Sequence, residues 1–252
     1  MGPRSQYGRF HDVDAFGHGI ASAFSNSSQV LEASAMRFQN RTEAGRCLAT
    51  KLRTFVGRVD VLVLALPRGG VPVGAEVARA LGAPLEVFLV RKLGVPGREE
   101  LAMGAIASGG VRVLNDDVVS EFGIPERWIE AVAEREGKEL KRREVAYRNH
   151  RPAPEVRCKT VILVDDGLAT GASMKAAIAA LRTLAPRQIV VAVPIGAAET
   201  CHELEALADS VVCVETPKDF RAVGSWYVDF NQTTDEEVRL LLANQSAVTQ
   251  LA

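Results

Sequence analysis

The chain has 252 residues, 47% of them hydrophobic and 24% charged, enough length and apolar content to bury a full core as one soluble domain with appendages. With 30 basic and 31 acidic side chains the formal net charge is -1, which excludes a general electrostatic drive toward nucleic acid. No apolar run approaches the roughly 20 residues of a membrane span and no secretory apolar stretch opens the chain. Cys47, Cys158, Cys201 and Cys213 lack metal-ligand spacing, so a reduced, cytoplasmic protein is expected, with neither membrane nor nucleic acid as partner.

Residues 1–35 are rich in Gly, Ser, His and Asn without a sustained period and read as a disordered extension, ahead of one domain over 36–252. A helix is expected around 43–55, then an apolar strand over 59–66 that ends in Pro67-Arg68-Gly69-Gly70. That tetrapeptide reads as a plain turn or as an anion-binding loop, its glycines letting backbone approach the ligand. The helix after it carries Val73, Val77 and Leu81 on one face, with Gly82 as its C-cap. A second apolar strand, 85–90, runs into Arg91-Lys92-Leu93-Gly94 and a polar, bendable loop over 95–100. Residues 102–107 and 111–114, joined by Ser108-Gly109-Gly110, form a hairpin fit to carry a lid.

One long helix is expected over 126–149, with Ile129, Val132, Leu140 and Tyr147 inward. Its basic run, 138–143, is interleaved with glutamates at i,i+4 distances and reads as a solvated face. Arg151-Pro152-Ala153-Pro154 is a connector. It leads to the most informative segment, in which Val161-Ile162-Leu163-Val164, a strand buried on both faces, runs into Asp165-Asp166-Gly167-Leu168-Ala169-Thr170-Gly171-Ala172-Ser173. Small residues and hydroxyls stand where the next helix begins, so free N–H groups face an anion there. The two carboxylates would repel a bare phosphate but accept from vicinal hydroxyls. The combination reads as a site for a phosphorylated ribose, the loop holding its phosphate.

Apolar strands at 188–195 and 210–214 flank a helix over 197–207, and the alternation of strands with helices predicts a parallel α/β sheet with ligands at the carboxyl ends of its strands. The tail packs Phe220, Trp226, Tyr227, Phe230 and Asp229 into eleven residues of a chain only 6% aromatic. Those rings either stack on a planar base or plug the end of the sheet. Asp235-Glu236-Glu237 caps a terminal helix.

These motifs, over roughly residues 36–240, resemble the type I phosphoribosyltransferases. Four apolar residues, an acidic pair and a Thr-Gly loop closed by a small hydroxyl residue match their motif for 5-phosphoribosyl 1-diphosphate (PRPP), and Arg91-Lys92-x-Gly94 is similar to the segment ahead of the flexible loop in adenine phosphoribosyltransferases. The resemblance implies a twisted parallel sheet with flanking helices, a flexible hairpin lid (93–114) and a small C-terminal hood (217–235). It implies magnesium-dependent transfer of 5-phosphoribosyl between PRPP and a nitrogenous base, in nucleotide metabolism, by a possible homo-oligomer. Asp165 and Asp166 would hold the ribose hydroxyls. Ala169, Thr170, Gly171, Ala172 and Ser173 would take the 5′-phosphate, and Arg68, Gly69, Gly70, Arg91 and Lys92 the diphosphate. Phe220, Trp226 and Tyr227 would border the base, and Asp229 would meet the metal.

Similar proteins begin near Met36, which makes residues 1–35 either a mis-assigned extension or a flexible arm. One departure matters: hypoxanthine-guanine enzymes carry Asp, a general acid or base toward N7, where this chain has Ala169. Adenine enzymes share the Ala-Thr-Gly form and use a lid Glu, so Glu99 and Glu100 are the catalytic candidates here. Two rival readings are a non-catalytic PRPP-binding regulator, against which the intact lid argues, and a phosphosugar hydrolase, against which the lack of a nucleophile motif argues.

Overall fold

A computed structural model describes residues 37–148 and 153–249, with side chains to 245. The amino-terminal extension, and with it the choice between an arm and a mis-assigned start, lies outside the described residues, as does the first half of the connector at 151–154. Asn40 opens helix α1 (Arg41–Lys51), its side chain accepting from the Glu43 N–H at 3.0 Å. A 3-10 turn at Arg53–Phe55 follows, so the helix expected over 43–55 starts earlier and stops at Lys51. Strand β1 (Val61–Ala65) and helix α2 (Gly70–Leu81) come next, and α2 ends at Gly82 in the left-handed conformation its C-cap demands.

The apolar run 85–90 is not one strand. Strand β2 (Leu85–Val87) pairs with β1, whereas β3 (Val90–Val95) belongs to a second sheet, and the chain crosses between them at Phe88 and Leu89. The main chain accounts for this: Phe88 N–H donates to Ala65, while the Leu89 carbonyl accepts from Ser108 of the other sheet. The segment expected as a bendable loop is largely strand as well. Pro96 and Gly97 (φ +77°) turn the chain tightly, and β4 (Arg98–Ala107) returns antiparallel to β3. With β5 (Val111–Leu114), paired to β4 as the hairpin reading expects, the lid is a three-stranded antiparallel sheet.

A short helix α3 (Asp116–Glu121) precedes the long α4 (Glu126–Arg148), which buries Ile129, Val132, Leu140 and Tyr147. Then β6 (Thr160–Val164), α5 (Ala172–Thr183), β7 (Gln188–Ile195), α6 (Ala198–Glu205), β8 (Ser210–Glu215) and α7 (Asp235–Thr249) complete the domain. Five strands pair in parallel in the order β2-β1-β6-β7-β8. The pleat divides the core between two faces. Val61, Val63, Ala65, Ile162, Val164 and Val190 pack toward α1, α2, α4 and α7, while Leu62, Leu64, Val161, Leu163 and Val191 pack toward α5 and α6. Among the described residues no helix is long and apolar enough to cross a membrane.

The main chain just before α1 zips onto the tail. Phe38 N–H donates to Trp226, Val228 N–H to Phe38 and Asp229 N–H to Gln39, at 2.8–2.9 Å. The hood is thereby fixed to the start of α1, directly beside the end of β6.

Candidate active site

Ala65 pairs with Val164, so the loops that follow β1 and β6 leave adjacent parallel strands side by side, at the carboxyl edge where open α/β sheets take their ligands. Asp165 and Asp166 stand at that edge. Burial pushes both carboxyls up, and the charge of Asp166 pushes Asp165 well above the usual carboxylate range. Arg41 works against the rise, its Nε donating to Asp166 Oδ2 at 2.8 Å. The same guanidinium donates to the Asn231 carbonyl at 2.7 Å and lies 4.0 Å over the Phe230 ring. Sequence reading misses Arg41. Its partner is 125 residues away, and only the Phe38–Trp226 zipper brings the two together.

The loop after Asp166 is braced from α6. Thr200 Oγ1 donates to the Ala169 carbonyl at 2.6 Å, and Gly171, at φ +67°, turns the chain into α5 where a β-carbon would stand 2.7 Å from Thr200. Ala169, Thr170, Ala172 and Ser173 are exposed around this turn at the start of α5, where the Ala172 N–H donates to the Thr170 hydroxyl at 3.5 Å, and a helix start of this kind suits an anion.

Against this loop lies Pro67-Arg68-Gly69-Gly70, with a cis peptide between Pro67 and Arg68. A β-carbon on Gly69 would overlap the Asp166 carboxylate, and one on Gly70 would stand 2.7 Å from the Val164 carbonyl. The glycines are therefore a packing requirement of the acidic pair. Gly69→Ala is expected to cost about 1–3 kcal/mol, the scale of overpacking, read as a lower urea midpoint at unchanged m; a native midpoint would show that the two loops are not in contact.

The candidate cations are each held by a carboxylate. Arg68 sits 3.6 Å from Asp235, whose Oδ1 also accepts from the Tyr147 hydroxyl at 2.6 Å. Arg91 Nε donates to Glu136 at 2.9 Å, and Lys92 Nζ to Glu100 at 3.2 Å. A cavity of about 70 Å³ joins Pro67, Arg91, Asp165 and Ser173, and Leu140 and Arg143 of α4 complete its wall. A larger cleft of about 680 Å³ opens between the lid and α5, with Lys92 and Glu100 on one side and Thr170, Ala172 and Lys175 on the other. Glu99 does not line it; its carboxylate accepts from the Gly97 N–H at 3.3 Å.

In the hood, Tyr227 is buried between Phe38 and Phe230, with ring centroids 5.7 and 5.0 Å away, and its hydroxyl donates to the Asp166 carbonyl at 2.6 Å. Phe220 and Trp226 are half-buried around it, and Trp226 Nε1 is buried with no hydrogen-bond partner among the described residues. Asp229 is exposed, one oxygen accepting from the Asn231 N–H at 3.1 Å.

The sequence profile of a family described as "Phosphoribosyl transferase domain" matches residues 37–231. Over 201 residues the chain is 47% identical to "Putative phosphoribosyl transferase Rv0571c" of Mycobacterium tuberculosis, a match that covers 80% of this chain and 45% of that protein. The chain thus spans about half the length of this curated relative. The crystal structure of TT1426 from Thermus thermophilus shares 44% identity and a TM-score of 0.77, over 83% of this chain and 99% of that one.

Proposed function

The chain belongs to the phosphoribosyl transferase domain family, and we propose that it transfers 5-phosphoribosyl between PRPP and a nitrogenous base. The observation that carries this reading is the acidic pair packed against Gly69 and Gly70 and opening onto the Thr170–Ser173 turn. A sugar phosphate bound there would meet the two carboxylates with its hydroxyls and the start of α5 with its phosphate.

The 5′-phosphate docks at the start of α5, on the Ser173 N–H and on the Thr170 hydroxyl, which in the free protein accepts from the Ala172 N–H at 3.5 Å. Asp165 and Asp166 accept from the ribose 2- and 3-hydroxyls. As the C1–O bond to diphosphate breaks, positive charge spreads over the ring, and the two carboxylates orient and stabilise it. The acceptor nitrogen then forms the new bond to C1 from the hood side. Arg68 and Arg91 take up charge on the departing diphosphate. Lys92 and Glu100 sit on the lid face of the larger cleft, so lid closure brings both against the phosphate loop and keeps water from the sugar. Trp226, with Phe220 and the underlying Tyr227, borders the base.

Among the described residues no cluster of three His, Cys, Asp or Glu side chains could cage a metal. Magnesium keeps several waters and takes one or two carboxylates plus substrate phosphates; here the exposed Asp229 carboxylate would be the protein ligand. When bound, the ion neutralises charge on the diphosphate.

PRPP consumption measured with a panel of purine and pyrimidine bases, and with no base, tests the proposal. Base-dependent release of diphosphate is the expected result. PRPP binding without consumption would favour a PRPP-binding regulator, and base-independent cleavage a hydrolase.

A further inference from the structure

We propose that Arg143, on α4, is a third arginine of the diphosphate pocket, alongside Arg68 and Arg91, and fixes where the leaving group sits. The inference rests on the phosphoribosyl-transfer reading and adds to it a residue from an element outside the motif loops.

The basic run of α4 reads as solvent-facing, and for most of it that holds. Lys138 and Arg142 are 76% and 60% exposed, each paired with a glutamate on its own helix. Arg143 differs. At helical spacing it falls between Leu140 and Tyr147, both buried, on the stripe that faces the domain. Its side chain is only 33% exposed, close to the 33% of Arg68 and 32% of Arg91.

What Arg143 faces is the smaller cavity, which it lines together with Pro67, Arg91, Asp165 and Ser173. Arg68, next to Pro67, reaches Asp235, and that carboxyl is held below its ordinary range by the Tyr147 hydroxyl and by the charges of Arg68, Arg142 and Arg143. Two guanidinium groups, Arg91 of β3 and Arg143 of α4, border the cavity, and Arg68 follows directly on the Pro67 that lines it. Each is tethered to a carboxylate: Glu136, Glu139 or Asp235. A tether of this kind holds a long side chain in place until a stronger acceptor arrives. A diphosphate carries several negative charges and tetrahedral oxygen pairs that planar guanidinium forks match bidentately. The cavity, at about 70 Å³, has room for a few waters, so diphosphate enters as these half-exposed side chains swing from their tethers onto it.

Titration calorimetry of wild type, Arg143→Gln, Arg143→Lys and Arg142→Gln, each with PRPP, inorganic diphosphate and ribose 5-phosphate at fixed magnesium, tests the assignment. Arg143→Gln is expected to weaken diphosphate and PRPP at least tenfold and leave ribose 5-phosphate unchanged, with Arg143→Lys recovering part of the loss. Arg142→Gln, which removes the other arginine on Glu139, should match wild type. Equal losses for all three ligands would mean structural damage and overturn the proposal, as would undiminished diphosphate binding in Arg143→Gln while wild type binds PRPP, an outcome that leaves the transferase reading standing. A wild-type protein that binds none of the three ligands would sink both.

Discussion

Asp165→Asn is expected to weaken PRPP binding by roughly 10- to 150-fold, the range of about 1.5–3 kcal/mol for a hydrogen bond to a charged group, while making the apoprotein more stable at neutral pH. The two effects share one cause. Both carboxyls of the pair are raised in the folded protein, because burial disfavours both charges, and Asp165 stands well above its ordinary value because the charge of Asp166 adds to that burial. Between the ordinary carboxylate range and the raised folded value, the native state holds more protons than the unfolded chain, so stability falls as pH rises through that window. Asparagine has no proton to lose. The variant's melting temperature should therefore respond less to pH than that of wild type, and exceed it at neutral pH. Asp166→Asn should show the same loss of PRPP affinity with less gain in stability, since it also deprives Arg41 of its ion pair. Wild-type PRPP affinity in both variants, with native melts, would remove the pair from ribose binding.

Much of this site is legible in the sequence because it is local. Thirteen consecutive residues carry strand, acidic pair, phosphate turn and helix start, and each is dictated by neighbours in the chain: the β-branched run of β6, the left-handed Gly171, the small residues around it. The same locality explains why α2 with its Gly82 cap, the hairpin of β4 and β5, the inward stripe of α4 and the bounds of β7 follow from the residues alone.

What escapes sequence reading depends on which sheet a segment joins and on pairings across the chain. Residues 85–90 are apolar apart from Glu86 because both sheets bury their part of the segment, and no residue marks the crossing at Phe88 and Leu89. Polar side chains make residues 98–100 look like loop, yet they sit on the exposed face and tip of a hairpin whose Pro96-Gly97 turn is the real punctuation. Arg41 and Arg143 have local contexts shared by ordinary solvent-facing helix residues. Only the zipper between residues 38–39 and 226–229, and the packing of Leu140 and Tyr147, turn them toward the acidic pair and the cavity.

Glu100→Gln is expected to lower kcat by roughly 10²–10⁴-fold, the usual worth of general acid–base catalysis, with little change in PRPP affinity. Under the transferase reading, Ala169 gives the loop no carboxylate at the position that would face the base, so the proton-exchanging group comes from the lid or the hood. The lid has two adjacent glutamates, and their settings differ: Glu100 lines the larger cleft opposite Thr170 and is held by Lys92, whereas Glu99 folds back onto the Gly97 N–H at the hairpin turn. Glutamine keeps an oxygen for Lys92 and nearly the same shape, so the substitution removes the titrating proton and spares the geometry. Glu100→Gln alone should then account for most of the loss in a Glu99→Gln, Glu100→Gln double variant, and Asp229→Asn should instead raise the magnesium requirement. Single-turnover rates at saturating PRPP separate these effects from product release. Full kcat in Glu100→Gln together with its loss in Asp229→Asn would move the proton chemistry to the hood, where Asp229 is joined through Asn231 and Arg41 to the acidic pair.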